Sequence, residues 1–474
     1  MKKRKVFCLI LSALLGGGAN SLAYTTAGDG TTYSLQTLSR IDDSDVLCFD
    51  DEERVRYMIV GPVTIARGDR FVMDDDVLVE FDDKATLIIE GEADFRLKKG
   101  STFDSAFDDH TAMPIGIQVT GGKGATEFTN CSFYAVGLRN SSPQGMNLSH
   151  CAFYACNGAI GQGALTLGTD GAPFHIVDCH FEDNAKAAIA GAANYRNPLV
   201  IERCTFVRNG AANGNTPQLN LTVADSIVVR SCTIEGNPQN TMVGGIVVAN
   251  LLGFEGDYVT VIKDNRITDN RFGIATYLSQ KAFIVDNILV DNNHETNAMN
   301  GGSGINVYDP YQTQYTYISG NHIEGSLWGI TLVGGKEANL GRTDVPESDS
   351  RYNPGRNFFR NNGNGGVLYD LYNNSPNIVY AQGNVWNVAV QREADIENVV
   401  FHRHDDASLG EVFFMPPGNP TGISSEHFEG DEANDGNQLP LYDLSGREIV
   451  NSPSSEGSLA NGIYIQGGKK VIIN

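Results

Sequence analysis

The chain repeats a short frame that leaves little choice of fold. Its clearest copy is Ile262-Lys-Asp-Asn265-Arg-Ile267-Thr-Asp-Asn270-Arg, followed by Gly273-Ile274-Ala-Thr276. The frame is an apolar residue, two free positions, a Cys or Asn anchor, one free position and an apolar residue, with Asn often three further on. Ten anchors align: Cys131, Cys151, Cys179, Cys204, Cys232, Asn265, Asn287, Asn321, Asn357 and Asn384. Two residues after the anchor the side chain is apolar in all ten, from Phe133 to Trp386. Three residues before it, eight of ten are Phe, Leu, Ile or Val. Five residues after it, six are Asn: Asn184, Asn209, Asn237, Asn270, Asn292 and Asn362.

The anchors lie 20 to 36 residues apart. A helical repeat would need two long amphipathic segments in each unit, and none is present. Each unit instead holds short β-rich runs separated by Gly, Asn and Asp. The anchor and the apolar residue two further on share one face of a strand. The residue three before the anchor has the opposite parity, so the chain must bend between them for both to face inward. Asn suits a repeated bend, since it tolerates left-handed backbone angles and stacked amides can bond along a ladder. The pattern predicts an all-β chain, a parallel β-helix with one coil per repeat. Over roughly 60–415 it resembles the right-handed β-helix repeats of the pectin-lyase-like superfamily. That resemblance implies a fold and leaves the activity open, because lyases, glycosidases, esterases, adhesins and phage tailspikes share it.

The two ends read as addresses. Met1-Lys-Lys-Arg-Lys5, an apolar run to Leu15 and small residues to Ala23 make a secretory signal peptide, 1–23, too short to span a membrane. No other stretch is expected to cross one. Residues 24–60 are acidic and are expected to cap the solenoid, which occupies 61–415 with a closing segment at its end. A Pro- and Gly-rich linker, 416–438, leads to a small β-module, 439–474. Tyr442-Asp443-Leu444-Ser445-Gly446-Arg447, Gly462-Ile463-Tyr464 and Lys470-Val471 resemble the C-terminal sorting domain of the type 9 secretion system of Bacteroidota. The resemblance implies a partner in the outer-membrane secretion machinery and a secreted or outer-surface location.

Compartment bears on the cysteines, seven of which follow the leader. Five hold the anchor register in consecutive coils, and Cys156 stands where later coils have Asn. Stacked side chains point the same way and not at each other, so a ladder of small buried groups is expected in preference to disulfides. No Cys/His spacing suggests zinc. The formal charge of −23 argues against nucleic acid and against direct capture of polyanions. No cofactor is expected. Calcium at Asp74-Asp75-Asp76 is the one cation the sequence leaves room for, and a solvated turn is the preferred reading there.

Eight Gly-Ile-x-apolar or equivalent segments form a second stripe, from Gly116-Ile-Gln-Val119 to Gly366-Val-Leu-Tyr369. With the second and fourth residues inward, the outward positions hold one carboxylate, Asp370, and no Lys, Arg or His. Paired carboxylates for acid/base chemistry are missing from this face. What it does carry is tyrosine. Tyr277 and Tyr308 fall in adjacent coils, and Tyr308-Asp309-Pro310-Tyr311 through Tyr315 continues as a loop. Rings pack on sugar C–H faces while Asp and amides bond hydroxyls. The sequence thus points to a glycan site at Tyr277, Tyr308, Asp309, Tyr311, Tyr315 and Asp370, without catalysis, on a polysaccharide or glycoconjugate partner. The rival is a polysaccharide lyase or glycoside hydrolase on another face, with Lys263, Arg266 and Arg271 beside Asp264 and Asp269. A structural adhesin is the third reading. His402-Arg403-His404-Asp405-Asp406 is read as part of the closing segment.

Overall fold

The computed structural model of the chain describes residues 23–50, 54–106, 114–191 and 195–419, with the backbone of four strands between 441 and 473. Apart from Ala23 and 416–419, the expected leader and linker lie outside the described residues. Among the described residues no helix is long and apolar enough to cross a membrane.

One coil shows the plan. Pro62–Ile65, Arg70–Val72 and Leu78–Phe81 run in three directions, and Thr86–Ile89 then stacks in parallel on Pro62–Ile65. Repetition builds a first sheet of 14 strands, a second of 14 and a third of 13, numbered as the chain meets them in each coil. This is a right-handed parallel β-helix. The segment expected as a cap supplies the first coil itself. Tyr24–Thr25 pairs with Val63 and Thr64, and Thr32–Tyr33 with Arg70 and Phe71. Val46–Asp50 and Val55–Ile59 form an antiparallel hairpin that joins the third sheet. Beyond the solenoid, 441–443, 448–449, 462–466 and 469–473 form a separate four-stranded antiparallel sheet.

The repeat frame maps onto one corner of the coil. Three residues before the anchor, the apolar side chain ends the second sheet and enters the core. Two residues after the anchor, Phe133, Phe153, Phe181 and Phe206 enter it from the third sheet and stack at 4.4–5.2 Å. The bend between them needs a left-handed residue, but the anchor is not that residue. The residue before it is, in all ten coils: Asn130, His150, Asp178, Arg203, Ser231, Asp264, Asp286, Gly320, Arg356 and Gly383, with φ between 50° and 72°. Such angles cost a non-glycine residue on the order of 1 kcal/mol. The cost is accepted because the bend turns the anchor side chain inward.

There the anchors form a continuous ladder. Each of Asn265, Asn287, Asn321 and Asn357 donates its backbone N–H and its Nδ2 to Oδ1 of the next Asn, at 2.9–3.1 Å. The cysteines continue it. The Cys232 N–H donates to Asn265 Oδ1 at 3.0 Å, and the N–H groups of Cys179 and Cys204 donate to the sulfur one coil on, at 3.4 Å. All seven described cysteines are free; burial raises the pKa of Cys151 and Cys156, and the contact with Cys151, with burial, raises that of Cys179.

A second ladder runs through Asn184, Asn209, Asn270 and Asn292. Asn237 was expected in it and is not there. The coil leaves its path at Gly236, where the left-handed angle of the other coils is lost. Gln218 fills the vacant rung, accepting from Asn209 Nδ2 at 3.0 Å and donating to Asn270 Oδ1 at 2.9 Å.

Asp370 ends the same column and so is not on the surface. It is fully buried, with Asn362 Nδ2 at 3.2 Å and the Asn387 N–H at 2.7 Å donating to its carboxylate. The stripe at 366–369 is therefore out of register: the first-sheet strand is Leu371–Asn374, with Leu371 and Asn373 inward. Val367 and Leu368 lie before it in an exposed loop. The glycines that open the other first-sheet strands have a steric cause. A Cβ on Gly245, Gly273 or Gly329 would lie 2.3–2.5 Å from a carbonyl oxygen of the adjoining coil.

Two predictions follow from the ladders. Asn321→Ala leaves Asn287 and Asn357 with unmatched amide groups and is expected to cost about 2–3 kcal/mol, read as a lower urea midpoint. Asn321→Cys, which keeps an acceptor of the kind five coils already use, should cost less. The second concerns pH. Burial pushes the Asp370 pKa from 3.8 up to about 7. The folded chain then holds a proton that the unfolded chain has released, so this contribution is full below about pH 4 and is lost as pH rises through 7. The midpoint of wild type minus that of Asp370→Asn should therefore be larger at pH 4 than at pH 8. A difference independent of pH would contradict the assignment.

Candidate functional site

The outer face of the first sheet carries two parallel rows over its last coils. The central row is Val247, Ala275, Asn306, Thr331, Tyr372 and Phe401. The row two residues on is Ala249, Tyr277, Tyr308, Val333 and Asn374. Adjacent coils sit about 4.8 Å apart, so like side chains in one row must stack. Tyr277 and Tyr308 do, with ring centroids 5.0 Å apart and planes 10° from parallel. Their remaining faces lean over Ala249 and Val333. Tyr311, on the turn after the strand, is 75 % exposed and has the freest ring of the group.

A second aromatic group stands two coils further on. Tyr372 stacks on Phe401 at 4.8 Å, and Trp328 stacks on Tyr369 at 5.5 Å and meets Tyr372 at 5.4 Å. The indole N–H of Trp328 donates to the Ala298 carbonyl at 2.9 Å, which anchors the ring to the 293–302 loop. Trp328, Tyr369, Tyr372 and Phe401 stand outside the six residues to which the sequence points. The signal that could have found them is the register, since Phe401 is one coil after Tyr372 in the central row.

Three of the six expected contact residues belong elsewhere. Asp309 is buried, and its carboxylate accepts from the Thr313 and Gln314 N–H groups and from Thr313 Oγ1, which holds the turn after the strand. Asp370 closes the inner ladder. Tyr315 opens a second-sheet strand, Tyr315–Ser319, around the corner from Tyr308. Its ring packs beside Phe283 against an outer cluster with Val200, Val228, Val259, Val261 and Val285, and burial raises its pKa. The stretch 308–317 read as one long loop is two strands joined by a short turn. Tyr277, Tyr308 and Tyr311 remain at the surface.

The rival constellation is dispersed. Lys263 lies 3.6 Å from Asp264 at the edge of the second sheet. Arg266 is exposed on the third sheet. Asp269 faces His294 at 3.5 Å, and Arg271 bonds Asn215 Oδ1 and the Asn300 carbonyl. The carboxyls of Asp264 and of Asp286, one coil on, have raised pKa values from burial, and Lys263 opposes the shift at both. The same edge carries Glu202 bridged to Arg230 at 2.6 Å and to Arg203, which in turn bonds Asp178 at 2.8 Å. Cations and carboxylates alternate from coil to coil and neutralise each other, as opposite charges in neighbouring strands do.

The closing segment uses its histidines internally. His402 is buried, accepts the Val412 N–H on Nδ1 at 3.1 Å and meets Glu397 through Nε2 at 3.0 Å. Asp405 accepts the His402 N–H, and Asp406 accepts from Ser408. At the other end Asp76 lies between Arg54 at 3.4 Å and Lys99 at 3.8 Å, and Asp75 accepts the Lys98 N–H. Among the described residues no three His, Cys, Asp or Glu side chains converge as metal ligands.

Comparison with known proteins agrees with this architecture. The family described as "Right handed beta helix region" matches residues 99–251, about a third of the chain and the coils with cysteine anchors. No curated protein and no solved structure matches the chain.

Proposed function

We propose that this is a secreted or cell-surface glycan-binding protein without catalysis of its own. The observation that carries the reading is the grouping of Tyr277, Tyr308, Tyr311, Trp328, Tyr369, Tyr372 and Phe401 along one outer sheet. Aromatic side chains outside a solenoid do not serve its core, and a flat row of them beside Asn306, Thr331 and Asn374 suits the alternating C–H and hydroxyl surfaces of a sugar chain. The charged groups that a lyase or hydrolase would use are paired along the second and third sheets. The leader and the tail that resembles a type 9 sorting domain support export across the outer membrane.

A structural adhesin is the second reading. Leu251, Leu252 and Met299 favour it, being 60 %, 60 % and 88 % exposed on loops that border the same face, because protein contacts enrich such side chains.

The test is retention of the full chain on immobilised host and microbial polysaccharides, with assay of reducing and unsaturated ends. Retention without products is expected. Tyr308→Ala and Tyr372→Ala should each weaken binding on the order of tenfold, about 1.4 kcal/mol. Release of products would overturn the non-catalytic reading. Absence of retention on every glycan would leave the adhesin.

A further inference from the structure

The outer face of the first sheet differs from the other two in charge. From Leu219–Thr222 onward its outward side chains are Asn220, Thr222, Val247, Ala249, Ala275, Tyr277, then Asn306, Tyr308, Thr331, Val333, and finally Tyr372, Asn374 and Phe401. Seven successive coils contribute no ionisable side chain except the phenols. Charged residues make up 19 % of the chain, and the neighbouring sheets carry them in the same coils. The second sheet has Arg230, Lys263, Lys281 and Glu337 outward; the third has Glu235, Arg266, Glu324 and Arg360. The charge-free stripe is thus confined to the sheet with the aromatic rows. Among the described strand positions of the coils just before it, the one outward cation is Arg139, eight strands from Tyr372 in the sheet.

We propose that the ligand of this face is an electrically neutral glycan, bound along the solenoid axis and without a bridging cation; this rests on the glycan-binding reading above. A polyuronate or sulfated chain lying here would meet no Lys or Arg at the outward strand positions of seven coils. The bordering loops carry Glu255 and Glu295 beside Arg271 and Lys336, on a chain of net charge −23. That net charge repels a polyanion, and the strand positions offer nothing to offset it. A neutral chain needs only rings for its C–H faces and amides or hydroxyls for its oxygens. Asn306 and Asn374 provide the latter beside the two aromatic groups. The rows run across the strands, so a chain that touches both Tyr308 and Tyr372 follows the stacking direction, crossing a coil about every 4.8 Å.

The experiment is affinity electrophoresis of the full chain in gels holding a soluble β-glucan, a galactomannan, polygalacturonate or chondroitin sulfate, each with calcium and with EDTA, at low and high salt. Retardation by the β-glucan or the galactomannan is expected, unchanged by EDTA or salt. Asn374→Asp, which places a charge on an exposed outer position two residues from Tyr372, should weaken that retardation on the order of tenfold with an unchanged unfolding midpoint. Retardation by polygalacturonate or chondroitin sulfate alone, abolished by Tyr372→Ala, would overturn the neutral ligand while the glycan-binding reading stood. Loss of retardation in EDTA would overturn cation independence. Retardation by none of the four would overturn both.

Discussion

The inner side-chain ladder is the constraint on which the structure depends. Parallel strands stack about 4.8 Å apart, and at that spacing an amide can donate to the amide above it while accepting from the one below. Five asparagines are joined this way without a break, Asn287, Asn321 and Asn357 both donating and accepting, and each of the five also takes a backbone N–H from the neighbouring coil. The sulfur of cysteine serves the same N–H groups in the preceding coils, at a longer 3.4 Å. This explains why Cys and Asn exchange at one position: both are small, both face inward, and both offer an acceptor to the same donor. It also accounts for the unpaired thiols, since neighbouring side chains point in parallel and not at each other.

The ladder sets the rest of the coil. A left-handed residue must precede the anchor, and a three-residue strand must follow before the next left-handed position. The corner before the anchor lengthens once, at 342–356 ahead of Asn357. Otherwise the chain places its longer segments in the connections on either side of the first sheet. The first sheet is therefore bordered by loops that differ from coil to coil, such as 250–258, 291–302 and 361–370. The same fixed stacking makes outer side chains meet their counterparts. On the second and third sheets this brings carboxylates against arginines, and on the first it brings rings against rings. Function is argued from the face where stacking satisfies no charge and leaves aromatic edges and the ring of Tyr311 in solvent.

Legibility followed the repeat. Where the frame was intact, the inward residues were all placed: Phe181, Ile267 and Ile323 enter the core from the third sheet as the spacing requires. Errors fell where a coil departed from the frame. At 366–369 a Gly-Val-Leu-Tyr segment imitates the stripe, but the ladder position of Asp370 pulls the strand four residues on. At 308–317 tyrosines and a proline imitate a loop, but Tyr315 already belongs to the next sheet. Asn237 has the right spacing and the wrong path. In each case a local pattern matched the motif, and contacts outside it, 8 to 52 residues away in the cases of Asp370 and Asn237's rung, decided otherwise.

The sequence by itself determined the architecture, the need for a bend beside each anchor and the inward residues of the intact coils, because a period of about 28 residues, seen ten times over, can satisfy its own ladder in only one way. The tertiary structure decided what lies on the outside. Trp328 is 41 residues from Tyr369 and 73 from Phe401, yet the three share one surface; Asp309 and Asp370, which look like sugar ligands in a linear reading, turn inward to close backbone and amide donors. Inward positions obey a rule repeated in every coil. Outward positions obey none, since each depends on how many residues the intervening loops consume, and only the stacked coils show which side chains meet.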